Sequence, residues 1–277
     1  MINTIYQILW LFYIYSFIGW CIEVVYATLN TGKFVNRGFL NGPFCPIYGF
    51  GVLVVIILLE PIKENLVILF LGSLVLTSII EFITGFVLKK VFNNSWWDYT
   101  DLPFNLCGYI CLKFSIMWGI ACVTIIQIIH PAVTYFVKLI PYNIGIIIIS
   151  LIIISFCFDI IVTINAILEL NKRLSLMNEI SKKLKYISDE LGENISNGVV
   201  DIMEISDEWK NNIGNIKVNL DEKKQEIYQL KESYRKLFEK KYIIHKRLMK
   251  AFPRMKSKNY QEVLDNLKSY YKNKKLR

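Results

Sequence analysis

The sequence predicts an all-α polytopic membrane protein, a bundle of about five transmembrane helices followed by a polar helical tail. Three observations predict this fold. Apolar residues make up 54% of the 277 residues, which exceeds the share in ordinary soluble domains, and the mean hydropathy is +0.39. The apolar residues are concentrated before about residue 170. We therefore predict a transmembrane permease-like domain over residues 1–169 and a basic cytosolic tail over residues 170–277.

Five apolar runs approach the length of about 20 residues that a helix needs to cross the hydrocarbon core. They cover residues 5–29, 46–62, 66–88, 110–129 and 142–165. The second run is the shortest and begins among prolines and glycines. We expect it to be tilted, broken or partly re-entrant.

Basic residues in the connections indicate the orientation, because cytoplasmic loops are enriched in lysine and arginine. The connections 30–45 and 89–113 hold or border Lys33, Arg37, Lys89, Lys90 and Lys113, whereas the connections near residue 63 and over 130–141 hold only Lys63 and Lys138. The lysine-rich loops therefore lie inside. With five spans, the amino terminus is outside and the carboxyl terminus is cytoplasmic.

The charge of the two parts differs strongly. Residues 1–169 carry 7 Lys/Arg against 8 Asp/Glu, and residues 170–277 carry 25 against 15. A basic segment after the last span is attracted to anionic lipid headgroups, so membrane lipids are expected partners. Basic tails also bind nucleic acid, but no recognition motif accompanies the charge, and we expect no nucleic-acid partner.

The tail shows a helical pattern. Apolar residues recur at spacings of three and four, as in the seam of a coiled coil or a long helical hairpin: Met177, Ile180, Leu184, Ile187, Leu191, then Ile213, Ile216, Leu220, Ile227, Leu230, Tyr234 and Leu237. We expect Gly192, Gly198 and residues 211–215 to interrupt it. Two helices folded back on each other and a dimeric zipper both fit. Beyond Phe252 and Pro253 we expect a loosely ordered chain.

Three acidic residues lie within the apolar runs: Glu23, Glu81 and Asp159. A carboxylate facing lipid is costly, so such residues are expected to face a packed or wet interior and are functional candidates. From the predicted boundaries and a rise of about 1.5 Å per residue, all three lie in the cytosolic half of the membrane. They could line one cavity, or each could simply bond a neighbouring helix.

The stretch from residue 36 to 51, NRGFLNGPFCPIYGFG, lies beside these acids. Arg37 is predicted to pair with Glu23 or Glu81, or to hold an anionic group, since a guanidinium suits either role. Four glycines permit unusual backbone shapes, and two prolines prevent a regular helix. Irregular backbone at membrane depth is tolerated where it lines a cavity or is buried in protein. We therefore interpret the stretch as a folded cap over the acids.

A related layout recurs later in the chain. Glu23 is followed by GPFCPIYG (42–49), and Glu81 is followed by LPFNLCGY (102–109). This similarity favours two parallel repeats of two helices each, an arrangement known among transporters, although chance similarity between apolar segments is the alternative. Trp96 and Trp97 are predicted to be interface anchors.

Several ordered motifs together carry a family resemblance. They are YSFIGWCIEVVY (15–26), the stretch 36–51, EFITG (81–85), WDY (97–99) and NLCGYICLKFSIMWG (105–119). The chain resembles the type IV ABC-transporter permease family of small bacterial membrane proteins, over residues 5–130. The tail lies outside the resemblance.

The resemblance implies a multi-pass protein of the bacterial cell membrane with a role in transport. The sequence contains no P-loop, so an ATPase would be a separate chain. The positions that match the family motifs are Glu23, Arg37, Cys45, Glu81, Trp97 and Asp98. Together with Asp159, they are our candidate ligand or ion site.

Three functions remain open at this point. The first is a transport component, expected to be a homodimer, with Glu23 and Glu81 as a cation or proton site. The second is a membrane-embedded enzyme acting on a lipid-linked substrate by acid–base chemistry, with Cys45 as a nucleophile. The third is a scaffold or sensor that displays a coiled coil. We expect no cofactor, and no metal site from Cys45, Cys107 and Cys111, because their spacing and the absence of a nearby histidine are unfavourable.

Overall fold

The fold is almost entirely helical, as predicted. The computed structural model describes residues 5–204, 209–239 and 243–273, with the side chains of residues 191 and 193–221 outside the description. The helices are α1 (Ile5–Thr31), α2 (Pro46–Leu59, extended by a 3-10 turn, Glu60–Ile62), α3 (Leu66–Phe92), α4 (Leu112–Thr124), α5 (His130–Leu139), α6 (Tyr142–Glu204), α7 (Trp209–Glu239), α8 (Ile243–Ala251) and α9 (Gln261–Asn273).

Two small antiparallel strand pairs complete the described part of the chain. Strands β2 (Asn105–Leu106) and β3 (Ile110–Cys111) form a hairpin between α3 and α4, whereas β1 (Asn94–Ser95) pairs with the distant β4 (Lys256–Ser257). The hairpin turn has positive φ at Cys107 and Gly108. Each strand has only two residues, so the pairs shape loops rather than form a layer.

Among the described residues, four helical segments are long and apolar enough to cross a membrane. They are Ile5–Thr31, Leu66–Phe92, Leu112–Leu139 and Tyr142–Glu190. In the second and fourth of these, only 17% of the most apolar window is buried within the chain, so most of these apolar side chains face outward, where lipid would cover them. The remaining predicted span, Pro46–Ile62, is an apolar but shorter helix.

The span predicted over residues 110–129 is longer than predicted, and the loop predicted over 130–141 is wrong. The chain stays helical from α4 through Pro131 to the end of α5 at Leu139. A proline in a helix interior removes a hydrogen bond and clashes with the preceding turn. Here Pro131 lies in the first turn of α5, directly after a π-helical stretch, Ile125–Ile129, and such a widened turn accommodates it.

The tail is helical, but its predicted interruptions are wrong. Helix α6 continues through Gly192 and Gly198, and α7 includes residues 211–215. A glycine costs a helix only about 1 kcal/mol relative to alanine, which a long helix tolerates. The seam residues Ile213, Ile216, Leu220 and Leu191 have side chains outside the description.

Helices α6 and α7 contact each other as an antiparallel hairpin. Near one end, Arg173 of α6 is buried and donates to the carbonyl oxygens of Leu237 and Phe238 of α7. Further along, Lys223 of α7 pairs with Glu190 of α6. Of the two arrangements that the sequence permits, the described contacts therefore match the helical hairpin within one chain.

The chain forms two compact units. The first comprises Met1–Leu168 and Ile243–Asn259, and the second comprises Glu169–Tyr242 and Tyr260–Arg277. The expectation that the chain is loosely ordered beyond Phe252 is wrong. Met255 is fully buried in the first unit, and α9 follows, with Tyr270 packed edge-on against Phe238 in the second.

Aromatic side chains form much of the core of the first unit. The rings of Phe12 and Tyr13 of α1 pack edge-on against Phe156 of α6, with ring centroids 5.8 and 5.3 Å apart. Such T-shaped contacts are favourable beyond the burial of apolar area. They fix α6 against α1, the helix that carries Glu23.

Candidate functional site

Glu23 lies in the last third of α1 and has two polar partners. The guanidinium Nε of Arg37 lies 3.3 Å from its Oε2, and the hydroxyl of Tyr48 in α2 donates to its Oε1 over 2.6 Å. The guanidinium also lies over the ring of Tyr26, 5.0 Å from its centroid. The structure therefore pairs Arg37 with Glu23, one of its two predicted partners, and both carboxylate oxygens of Glu23 have a partner.

Glu81 lies in the middle of α3 and is only 9% exposed. The hydroxyl of Tyr99 donates to its Oε1 over 3.1 Å. Its Oε2 is buried and has no hydrogen-bond partner among the described residues. A buried carboxylate without compensation is costly, so such a group takes up a proton or a cation, or is paired. The second oxygen of Glu81 is thus a buried acceptor that no described residue compensates.

Tyr99 lies in the loop after α3 and connects the two acids electrostatically. Burial raises the pKa of its phenol, and the carboxylate of Glu81, Cys111 and the carboxylate of Glu23 raise it further. The phenol therefore stays protonated and keeps donating to Glu81. The carboxylates of Glu81 and Glu23 therefore both act on this phenol.

Close helix contacts hold this region together. A Cβ on Gly19 of α1 would lie 2.7 Å from Cδ2 of Tyr48 and closer still to its Cγ, so the glycine lets that tyrosine approach Glu23. The Tyr48 ring also packs edge-on against Trp118 of α4, with centroids 5.4 Å apart. Tyr48 therefore fills the space between three helices.

Trp97 lies beside the site rather than in it. Its Nε1 donates to the carbonyl oxygen of Tyr109 over 2.9 Å, and its ring lies against Gly85 of α3. Its neighbour Trp96 is 3% exposed and packs against Phe39. Trp96 is therefore a core residue, and its prediction as an interface anchor is wrong.

Asp159 of α6 accepts hydrogen bonds from the stretch 36–51. Its carboxylate accepts from the backbone N–H of Asn41 at 3.0 Å and from that of Gly42 at 2.6 Å, and also from the Asn41 amide and the Thr163 hydroxyl. Four donors satisfy this carboxylate, which fixes the loop. Asp159 thus supports the loop that carries Arg37.

Asp98 is engaged with the C-terminal part of the chain. Its Oδ2 lies 2.5 Å from Lys256 Nζ, and Thr100 donates to its Oδ1. Burial alone would raise the pKa of Asp98, but the bonds from Lys256 and Thr100 outweigh it and lower the pKa from 3.8 to about 2. Asp98 is therefore charged and paired at neutral pH.

Cys45 is buried at the start of α2, where its backbone N–H donates to the carbonyl oxygen of Ser16 over 2.9 Å. The two histidines lie elsewhere: His130 contacts Tyr15, and His245 contacts the carbonyl oxygen of Ala166. The described residues contain no group of three or more His, Cys, Asp or Glu that could hold a metal ion.

Sequence reasoning missed the tyrosines that complete the site. Tyr48 and Tyr99 both lie in the motifs that carry the family resemblance. The hydroxyl of a tyrosine within or beside an apolar span could have indicated a partner for an intramembrane acid. It also missed a second polar cluster, in which Tyr15 bonds His130 Nδ1 at 3.0 Å and Glu60 lies 3.9 Å from Nε2. No sequence signal joins these three residues, because they come from separate elements.

Comparisons with known proteins agree with the helical membrane architecture. A family model described as "Putative ABC-transporter type IV" matches residues 10–164, more than half of the chain. No solved structure matches the chain. The matched region runs from within α1 to within α6 and includes the acids Glu23, Glu81 and Asp159. The chain therefore belongs to this ABC-transporter type IV family.

Proposed function

We propose that the chain is the membrane-spanning component of a transporter and that Glu23, Arg37 and Glu81 form a site for a proton or a small cation. The observation that carries the proposal is the buried Oε2 of Glu81, which has no hydrogen-bond partner among the described residues, whereas Glu23 is paired with Arg37. Intramembrane acids of this kind commonly mark ion pathways and proton relays.

The family description supports a transport role and an ATPase as partner. Because the sequence contains no P-loop, that ATPase would be a separate chain. A homodimer, contact with anionic lipids, a cytoplasmic carboxyl terminus and a bacterial cell membrane stay predictions. The enzyme alternative has weaker support, since Cys45 is buried and both histidines contact other residues.

Thermal unfolding of the purified full-length protein tests the proposal. The midpoint is measured in a series of sodium, potassium and magnesium salts at fixed pH, and in a pH series without added metal ion. A ligand that binds only the folded state stabilises it by about 2.7 kcal/mol at 100 times its dissociation constant. We expect one of these series to raise the midpoint of the wild type.

Variants then assign the effect. Glu81→Gln keeps the shape of the side chain but removes its charge, so the ligand-dependent rise should disappear. Glu64→Gln changes an exposed acid in the connection before α3; it is the control and should behave like the wild type. An equal rise in Glu81→Gln and the wild type would contradict the proposed site.

A further inference from the structure

The segment 243–259, which we name the strap, returns from the tail to the first compact unit. It consists of α8, β4 and the residues between and after them. Four of its apolar side chains are buried, namely Leu248, Met249, Ala251 and Met255. The strap is therefore an integral part of this unit, although it lies outside the residues that the family match covers.

The strap holds the Arg37 loop by its backbone. Arg247 of α8 donates from Nη1 to the carbonyl oxygen of Gly38 over 2.8 Å and from Nη2 to that of Phe39 over 3.0 Å. Gly38 directly follows Arg37, the partner of Glu23. A forked guanidinium that binds two successive carbonyls fixes their direction, which a lysine cannot do equally well.

The strap also holds the loop that carries Tyr99. Lys256 pairs with Asp98, the residue before Tyr99, and β4 pairs with β1. Phe252 packs edge-on against Trp96, with centroids 5.1 Å apart. The two partners of the acids, Arg37 and Tyr99, therefore each lie one residue from a polar contact with the strap.

The chain connects the strap to the second compact unit on both sides. That unit includes Glu169–Tyr242 before the strap and Tyr260–Arg277 after it. A rearrangement of the helical tail would consequently pull on the strap from either end. The strap is therefore one covalent route between the tail and the acid site, and α6, which continues from the first unit into the second, is another.

We propose that the strap couples the helical tail to the acid site, with Arg247 and Lys256 as positioning residues for Arg37 and Tyr99. This inference rests on the proposed function and deepens it. Two sites are coupled when the state of one changes the affinity of the other, typically by a factor of about 5 to 150. Release of the strap should therefore weaken proton or cation binding at Glu81.

Cys45 provides a reporter of strap release. Cys45 is buried and belongs to the same stretch, 36–51, in which Arg247 binds the carbonyl oxygen of Phe39. In a full-length chain with the other five cysteines replaced by serine, alkylation of Cys45 should be slow. It should become faster in Arg247→Ala, less so in Arg247→Lys, and remain slow in Lys246→Ala, the exposed neighbour on α8.

The deciding measurement is the half-point of the thermal unfolding series, which is the salt concentration or the pH at which half of the rise in the unfolding midpoint is reached. We expect Arg247→Ala to shift this half-point by about fivefold or more in salt or proton concentration. Arg247→Lys should restore part of the shift, and Lys246→Ala should match the wild type. Lys256→Gln, whose side chain is 56% exposed, is a milder variant that should fold if Arg247→Ala does not, and it should shift in the same direction.

The outcomes separate the two proposals. Suppose that the wild type responds to salt or pH, and that the half-point is unchanged in variants whose Cys45 is alkylated faster. This result would overturn the coupling but would not contradict the proposed site. An unchanged half-point in Lys256→Gln would overturn the role of that contact. A wild type without any response would contradict the proposed site and the coupling together.

Discussion

Glu23 and Glu81 are the same residue type in similar apolar helices, yet their environments differ. Glu23 is paired with a guanidinium and a phenol, whereas Glu81 has one phenol and a buried oxygen that no residue in the described part of the chain contacts by a hydrogen bond. An opposite charge favours the ionised carboxylate, and burial disfavours it. This difference in environment is the basis for our proposal that Glu81, and not Glu23, takes up the proton or cation.

The bond from Tyr48 to Glu23 should contribute measurably to stability. Tyr48→Phe removes the donor and leaves a partly buried carboxylate oxygen unmatched, which should cost about 2 kcal/mol, as for other hydrogen bonds to charged groups. Chemical unfolding in detergent measures the cost. Tyr135→Phe, an exposed tyrosine of α5, is the control and should change stability little; equal effects of both substitutions would contradict the account.

The pair of Asp98 and Lys256 should show a defined pH dependence. The pKa of Asp98 is lowered from 3.8 to about 2, so its stabilisation is present above pH 4 and is lost as the pH falls towards 2. We expect wild type to be more stable than Asp98→Asn at neutral pH and the difference to shrink over that window. Thermal midpoints of both proteins between pH 7 and pH 2 provide the test, and a difference that is constant with pH would count against the pair.

At the scale of single residues, the sequence predicted charge partners better than hydrogen-bond partners. Arg37 and Glu23 stand out because charges are rare in apolar segments, so few pairings are available. Asp159 was grouped with the glutamates by depth alone, whereas the structure shows it bonded to Asn41 and Gly42. Which side of a helix faces which loop depends on tertiary packing, and spacing along one chain does not specify it.

At the scale of elements, the contact between α1 and α2 depends on glycine. A Cβ on Gly49 would lie 2.7 Å from the carbonyl oxygen of Phe12 and would also clash with Ser16. Since the nearest obstacles include backbone, the helices would have to separate. Adding a single methyl group at Gly49 would therefore disturb the packing of α1 against α2, which holds Tyr48 against Glu23.

Alanine substitutions at two glycines of α2 test this packing. Gly49→Ala should destabilise the protein by about 1–3 kcal/mol, as overpacking does. Gly51→Ala, two residues further, meets no atom within 4 Å and should be neutral or stabilising by up to about 1 kcal/mol. Unfolding in denaturant compares the two, and a Gly49→Ala protein as stable as Gly51→Ala would contradict the described contact.

Element existence was predictable, but several boundaries were not. Long apolar runs locate α1 and α3 because a bilayer demands both length and hydrophobicity. Pro131 and Gly192 were interpreted as boundaries from their local preferences, yet both lie inside helical segments. A π-helical stretch accommodates the proline, and the long helix around the glycine tolerates it. The conformational preference of a single residue therefore did not decide where these helices end.

At the scale of the whole molecule, the charge distribution makes a prediction about orientation. The loop between α3 and α4 should face the cytoplasm, and the short connection before α3 should face outward. In intact cells with one cysteine per chain, a membrane-impermeant thiol reagent should label Glu64→Cys but reach the native, exposed Cys107 only after permeabilisation. The opposite pattern would invert the orientation.

The position of the strap could not be predicted from the sequence. Its residues resemble an ordinary basic tail, and a break at Phe252 and Pro253 suggested loose order. The contacts of Arg247 and Lys256 instead span more than 150 positions, to Gly38 and Asp98. Such long-range pairings carry no local signal, whereas the apolar spans and their acids do.

The most direct test of the central claim is the protonation state of Glu81. Infrared difference spectra of the full-length protein in lipid, between low and high pH and between low and high salt, detect the carbonyl band of a protonated carboxyl group. We predict such a band in the wild type and in Glu64→Gln, removed by high pH or by the bound cation, and absent in Glu81→Gln. An identical band in Glu81→Gln, or no change with either condition, would contradict the account.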